Sequence, residues 1–144
     1  NIEMNHVADR CEIIEKAIVP GNETEVEFFL SQDSGKHSVH PVKGRPTTVV
    51  PAININDALK GVNCVKMDIE GMEYEMIKAV TDWSHIKLCI VEYHFHYSWL
   101  LENRSQKFNE VLSIFENNFD RIFVNRAAGT NKHFITHFAG FKNV

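Results

Sequence analysis

At 144 residues the chain has room for one hydrophobic core and is read as a single, partial domain over 1–144. Its 44% hydrophobic and 24% charged residues exclude intrinsic disorder. A net charge of -4, with fifteen Lys and Arg scattered along the chain, supplies no basic stripe, so no nucleic-acid partner is expected.

Asn1 to Arg10 reads as the end of an amphipathic helix whose beginning lies upstream. Cys11 to Val19 is rich in apolar residues, too short for an independent helix, and fits a mostly buried strand that stops at Pro20-Gly21. Thr24 to Leu30 alternates Val26, Phe28 and Leu30 with Glu25, Glu27 and Phe29, the period of a half-exposed antiparallel strand. Thr47 to Ala52 is a second strand, and the Ser-, Gly-, His-, Lys- and Pro-containing Ser31 to Pro46 between them reads as a mobile polar loop.

Asn56 to Leu59 forms a short helical turn before Gly61. Val62 to Met67 is a compact apolar strand ending at Asp68, and after Gly71 a helix carries Met72, Met76, Ile77 and Val80 on one side. His85 to Phe95 is a nearly continuous apolar run, as expected of a parallel strand covered on both faces, which completes a βαβ unit. Phe108, Val111, Leu112 and Phe115 keep helical spacing over Ser105 to Asn118. Arg121 to Arg126 and His133 to Phe138 then form an antiparallel hairpin around Gly129-Thr130-Asn131. The class is α/β, a mostly parallel sheet closed by an antiparallel C-terminal hairpin.

Cys11, Cys64 and Cys89 lie in apolar runs without CxxC spacing, which suggests buried, reduced thiols and a cytoplasmic setting. No apolar stretch reaches the roughly 18 residues that span a bilayer, so no membrane partner is expected.

Ligands of open α/β sheets bind at the carboxyl ends of parallel strands. One such end supplies Asp68, Glu70 and Gly71; the next supplies Glu92, His94 and His96, which share a face by the two-residue alternation. Adjacent strands would bring Asp68 against Glu92 or His94 around one small molecule. Asp68 has a competing role as a helix cap, and Glu73 and Glu75 read as a solvated helix face complementing the helix dipole. His94 suits proton transfer near neutrality, and Glu92 beside it can orient the imidazole. Two His and two acids without a third fixed spacing are a weak metal signal, so no metal ligand is assigned. His37, His40, His133 and His137 read as surface residues, and Tyr93, Phe95, Tyr97 and Trp99 as an aromatic cluster with at least half of it in the core.

Lys66-Met67-Asp68-Ile69-Glu70-Gly71-Met72-Glu73, preceded by Ile55-Asn56-Asp57-Ala58-Leu59 and followed by Glu92-Tyr93-His94, resembles the FkbM-type methyltransferases from about Asn1 to Phe141. The resemblance implies a Rossmann-like methyltransferase sheet and transfer of a methyl group from S-adenosylmethionine to oxygen on a small molecule, often a sugar hydroxyl. It implies catalytic roles for Asp68, Glu92 and His94, with His94 the preferred base, and cofactor contacts at Asp68, Glu70 and Gly71. The family's glycine-rich turn and its acidic ribose ligand are absent from the sequence, none of whose seven glycines forms GxG, so the sheet is expected to lack its first two strands. A central strand edge left open in this way would favour a homodimer paired edge to edge. Two other readings stand beside this one: a non-catalytic binding or assembly module on the same fold, and a metal-dependent hydrolase using Asp68, Glu92, His94 and His96.

Overall fold

A computed structural model of the chain describes residues 2–32, 37, 39, 41, 43–94, 103–126 and 135–143. It is a mixed α/β structure with two sheets. The first contains β1 (Ala17–Val19), β2 (Glu25–Phe29) and β3 (Thr47–Asn54) in the order β1-β3-β2. β3 pairs parallel with β1 and antiparallel with β2. The second contains β4 (Cys64–Met67), β5 (Leu88–His94), β6 (Arg121–Arg126) and β7 (Ile135–Phe141) in the order β4-β5-β7-β6. Among the described residues the expected parallel pairing holds at β1–β3 and β4–β5, whereas β2–β3, β5–β7 and β6–β7 are antiparallel. The sheets are therefore mixed rather than mostly parallel. The physical reason is connectivity: β7 follows β6 without a helix between them among the described residues, and it inserts antiparallel between β5 and β6, which would otherwise be parallel neighbours.

Among the described residues three α-helices serve these sheets: α1 (Ile55–Ala58), α2 (Glu73–Ala79) and α3 (Arg104–Asn118). The Asn54 side chain caps α1 by accepting from Asn56 N at 2.7 Å, and its amide donates to Gly21 O at 2.6 Å, tying the helix to the turn after β1. Asn56 in turn receives Thr81 N at 2.8 Å and donates to Ala79 O at 3.0 Å, which fixes α1 against the end of α2.

The core lies between α2, α3 and one face of the four-stranded sheet. Met76 and Ile77 of α2, Val111 and Phe115 of α3, and Cys89, Val91, Tyr93 and Phe138 of the sheet are fully buried together. This is the face that period-two alternation selects on β5: Cys89, Val91 and Tyr93 point in, while Leu88, Ile90 and Glu92 point out. Phe115 and Phe138 meet edge to face with ring centroids 4.7 Å apart. Between α2 and α3, Glu110 accepts from Tyr74 Oη at 2.7 Å and from Lys78 Nζ at 2.9 Å. Those two donors hold its carboxyl down to about 2.

Several sequence expectations are corrected. Only Ala17–Val19 of the expected Cys11 to Val19 strand pairs; residues 11–16 are exposed because no described strand lies beside them. Residues 2–10 form turns and a short 3-10 segment, Ala8–Arg10, instead of a helix end. Cys11 and Cys64 are exposed, the first outside any sheet and the second on the uncovered face of β4; Cys89 alone is buried, and burial pushes its thiol up to about 12. Much of the polar loop, the turn of the C-terminal hairpin, and Phe95, His96, Tyr97, Trp99, His40 and His133 lie outside the described residues. No described helix is long and apolar enough to cross a membrane.

Candidate active site

The β4–β5 register pairs Met67 with Val91, so Asp68, the first residue past β4, comes beside Glu92, which is still paired within β5. His94, two residues further, closes the same corner with a side chain only 3% exposed. Four carboxylates converge on its ring: Nδ1 lies 2.9 Å from Glu73 Oε1, and Nε2 lies 3.7 Å from Glu92 Oε1 and 3.9 Å from both Asp68 Oδ1 and Glu70 Oε2.

The turn from β4 into α2 makes this possible. Glu70 adopts φ 54° and Gly71 φ 107°, two successive left-handed residues that reverse the chain. No side chain precedes the helix to cap it. Instead Glu73, completely buried in the first turn of α2, reaches back and accepts from Ile69 N at 3.1 Å and from Gly71 N at 3.1 Å. The same carboxylate accepts from His94 N at 3.4 Å and His94 Nδ1 at 2.9 Å. One buried acid thus satisfies the turn before α2 and the end of β5.

Burial is the largest influence on His94 and by itself lowers its pKa. The Glu73 hydrogen bond and charge, with the charges of Glu70 and Asp68, outweigh it, so the imidazole titrates above its ordinary 6.5. With Nδ1 held by Glu73, Nε2 is the nitrogen turned toward Asp68, Glu70 and Glu92. Those three are partly open to solvent, at 35%, 26% and 27% exposure. Lys66 Nζ sits 3.1 Å from Asp68 Oδ2, and His137 Nε2, across the β5–β7 pair, sits 3.3 Å from Glu92 Oε2.

All five residues expected at the site, Asp68, Glu70, Gly71, Glu92 and His94, therefore lie in one corner. The expectations for Glu73 and Glu75, in the first turn of α2, are corrected. Glu73 is a buried keystone and not part of a solvated face, because its side chain turns inward under the Glu70–Gly71 reversal. Glu75 is half-buried, with one carboxylate oxygen shielded from solvent, and burial raises its pKa. Asp68 does not cap α2, whose first turn begins at Glu73. His137 is half exposed, yet it is engaged with Glu92 through the strand register.

Beside this corner a cavity of about 300 Å³ opens between the three-stranded sheet and the β4–α2 turn. Ile18, Phe28, Val39, Ile69, Met72 and Met76 give it an apolar wall, and Asp68 and Glu70 stand at its rim. A second hollow of about 230 Å³ shares Ile18, Ile69 and Met76 and follows the unpaired side of β4. Lys16 and His37 join the two carboxylates in the polar part of the lining, so the cavity fits a ligand that combines a charged or hydroxyl-bearing part with an apolar part.

Residues 1–122 match the family model described as the methyltransferase FkbM domain. No curated protein and no solved structure matches the chain.

Proposed function

Since the chain belongs to the FkbM methyltransferase domain family, we propose that its acidic corner is the reaction centre of an S-adenosylmethionine-dependent O-methyltransferase acting on a small-molecule or sugar hydroxyl. The observation that carries this reading is the convergence of Asp68, Glu70 and Glu92 on the buried His94 at the carboxyl end of the one parallel pair of the four-stranded sheet.

The residues present suit the methyl donor. Asp68 and Glu70 would face its positive charge or its ribose hydroxyls, and the apolar wall of Ile18, Ile69, Met72 and Met76 would take its base. When bound, S-adenosylmethionine supplies an electrophilic methyl group on a sulfonium. The chain's own task is then to align the acceptor hydroxyl and accept its proton. Glu92 and Glu70 accept hydrogen bonds from the acceptor and orient it. His94 Nε2 takes the hydroxyl proton, and the imidazolium so formed is stabilised by the Glu73 carboxylate at Nδ1. Asp68 is the rival proton acceptor.

The test is transfer of labelled methyl from S-adenosylmethionine to a panel of sugars and small alcohols. His94→Gln should lower kcat by about 10²- to 10⁴-fold, the usual contribution of a positioned base, with the circular dichroism spectrum unchanged. Because His94 must be neutral to act, the wild-type rate should rise with pH through its elevated pKa. A folded His94→Gln variant with wild-type kcat would remove the histidine from the chemistry. No transfer to any hydroxyl would remove the reaction itself.

A further inference from the structure

One imidazole nitrogen and two carboxylate oxygens, from His94, Asp68 and Glu92, lie within 4.8 Å of one another. We infer that these three side chains form a binding site for a divalent transition ion of the Mn²⁺ to Zn²⁺ class. The inference rests on the reading of this corner as the reaction centre and adds to it the ion that holds the acceptor.

Geometry comes first. Ligand atoms sharing an ion at about 2.1 Å sit about 3.0–3.4 Å apart. His94 Nε2 is 3.7 Å from Glu92 Oε1 and 3.9 Å from Asp68 Oδ1, and the three donors lie within 4.8 Å of one another, so an ion needs the two carboxylates to swing inward by about 1–2 Å at most. The rigid member is the one that should be rigid. His94 is 3% exposed and its ring is fixed by Glu73 at Nδ1, the carboxylate–histidine arrangement that sets the tautomer and aims the other nitrogen at a metal. Asp68 and Glu92, at 35% and 27% exposure, are the members able to adjust and leave room for outer ligands.

Charge is the second argument. Asp68, Glu70, Glu73 and Glu92 all lie within 4 Å of this one ring, and Lys66 Nζ, 3.1 Å from Asp68, is a cation paired with one of them. A divalent ion neutralises that excess better than a single proton on the imidazole. The mixed nitrogen and oxygen donors select against Ca²⁺ and Mg²⁺, which prefer oxygen alone, and for Mn²⁺ or Zn²⁺. In the ion-loaded protein Nε2 would be a ligand in place of the proton acceptor it is without the ion; the ion would supply Lewis-acid activation of the acceptor hydroxyl, and Glu70, the remaining carboxylate beside Nε2, would take its proton.

The experiment uses chelator-treated, untagged protein without methyl donor or acceptor, titrated with MnCl₂ and with ZnCl₂ by calorimetry, and with MnCl₂ by electron paramagnetic resonance. One equivalent should bind. Asp68→Asn and Glu92→Gln, both partly exposed and checked for native circular dichroism, should each weaken binding at least tenfold, while Glu27→Gln on β2 should not. Absence of saturable binding of either ion at millimolar concentration overturns the proposal, as do folded Asp68→Asn and Glu92→Gln variants that bind like wild type. Methyl transfer that persists unchanged in chelator also overturns it while leaving the methyltransferase reading intact. Stoichiometric binding lost in both variants, in a protein that transfers no methyl group, upholds the site and removes the proposed reaction.

Discussion

Glu73 and His94 behave as one unit, because neither can be buried without the other. The Glu73 carboxylate is completely inaccessible and accepts from Ile69 N, Gly71 N, His94 N and His94 Nδ1. Glu73→Ala leaves those donors without their acceptor, and removal of one partner of a buried pair costs about 3–5 kcal/mol. Urea unfolding should show that loss, and a cost below about 1 kcal/mol would contradict the keystone role. The pair also sets a pH dependence whose sign follows from linkage. His94 in the folded chain titrates above its ordinary 6.5, so the folded state holds the proton more tightly than the unfolded state. Its contribution is complete below pH 6.5 and is lost as pH rises through the elevated folded value. The stability difference between wild type and His94→Gln should therefore be larger at pH 6 than at pH 9, and a difference that grows with pH would reverse the assignment.

Two elements place the site, and each has a glycine that no larger residue can replace cheaply. In the β4–α2 turn Gly71 has φ 107°, a conformation foreign to residues with a Cβ, so Gly71→Ala should cost about 1–3 kcal/mol. It should also shift the backbone N–H that Glu73 holds, lowering the His94 pKa measured by NMR; a variant with wild-type stability would show that the turn has slack. On β7, a Cβ at Gly140 would come within 2.5 Å of Phe119 and 2.8 Å of Phe115, so Gly140→Ala overpacks the core by about 1–3 kcal/mol in denaturant melts. Most elements were legible in the sequence because their apolar periods matched the faces they bury: Met72, Met76, Ile77 and Val80 around α2, and Phe108, Val111 and Phe115 on α3, are all core residues. The neighbouring strand ends were legible for the same reason, since two apolar runs separated by one helical crossover imply parallel neighbours. Residues 11–16 failed because apolar content does not reveal whether a partner strand lies alongside. Glu73 failed because a carboxylate in the first turn of a helix is explained equally well by the helix dipole in solvent and by a buried loop reversal.

At the scale of the whole molecule, the four-stranded sheet has helices on one face only among the described residues. Its other face displays Ile90, 39% exposed, and Phe123, 62% exposed, while β4 pairs with β5 alone. Both features favour association, but through different surfaces. An unpaired strand offers directional backbone donors and acceptors to a copy of itself, whereas the apolar face offers only area. A groove lined by Ile18, Val65 and Met67 follows the side of β4 that has no strand partner among the described residues. The expected assembly is a homodimer joined along β4, with a light-scattering mass of twice 16.6 kDa that falls on dilution. Cys64→Lys, which puts a charge on the exposed start of β4, should shift the equilibrium to monomer, while Phe123→Glu on the open face should leave the dimer in place. Dissociation by Phe123→Glu and not by Cys64→Lys would move the interface to the face of the sheet, and a monomer at high concentration would exclude both. Edge pairing would also set the two acidic corners near the shared interface, because β4 delivers Asp68 at its own carboxyl end. Monomerisation should then weaken ligand binding at Asp68 and Glu70 without any change in those residues.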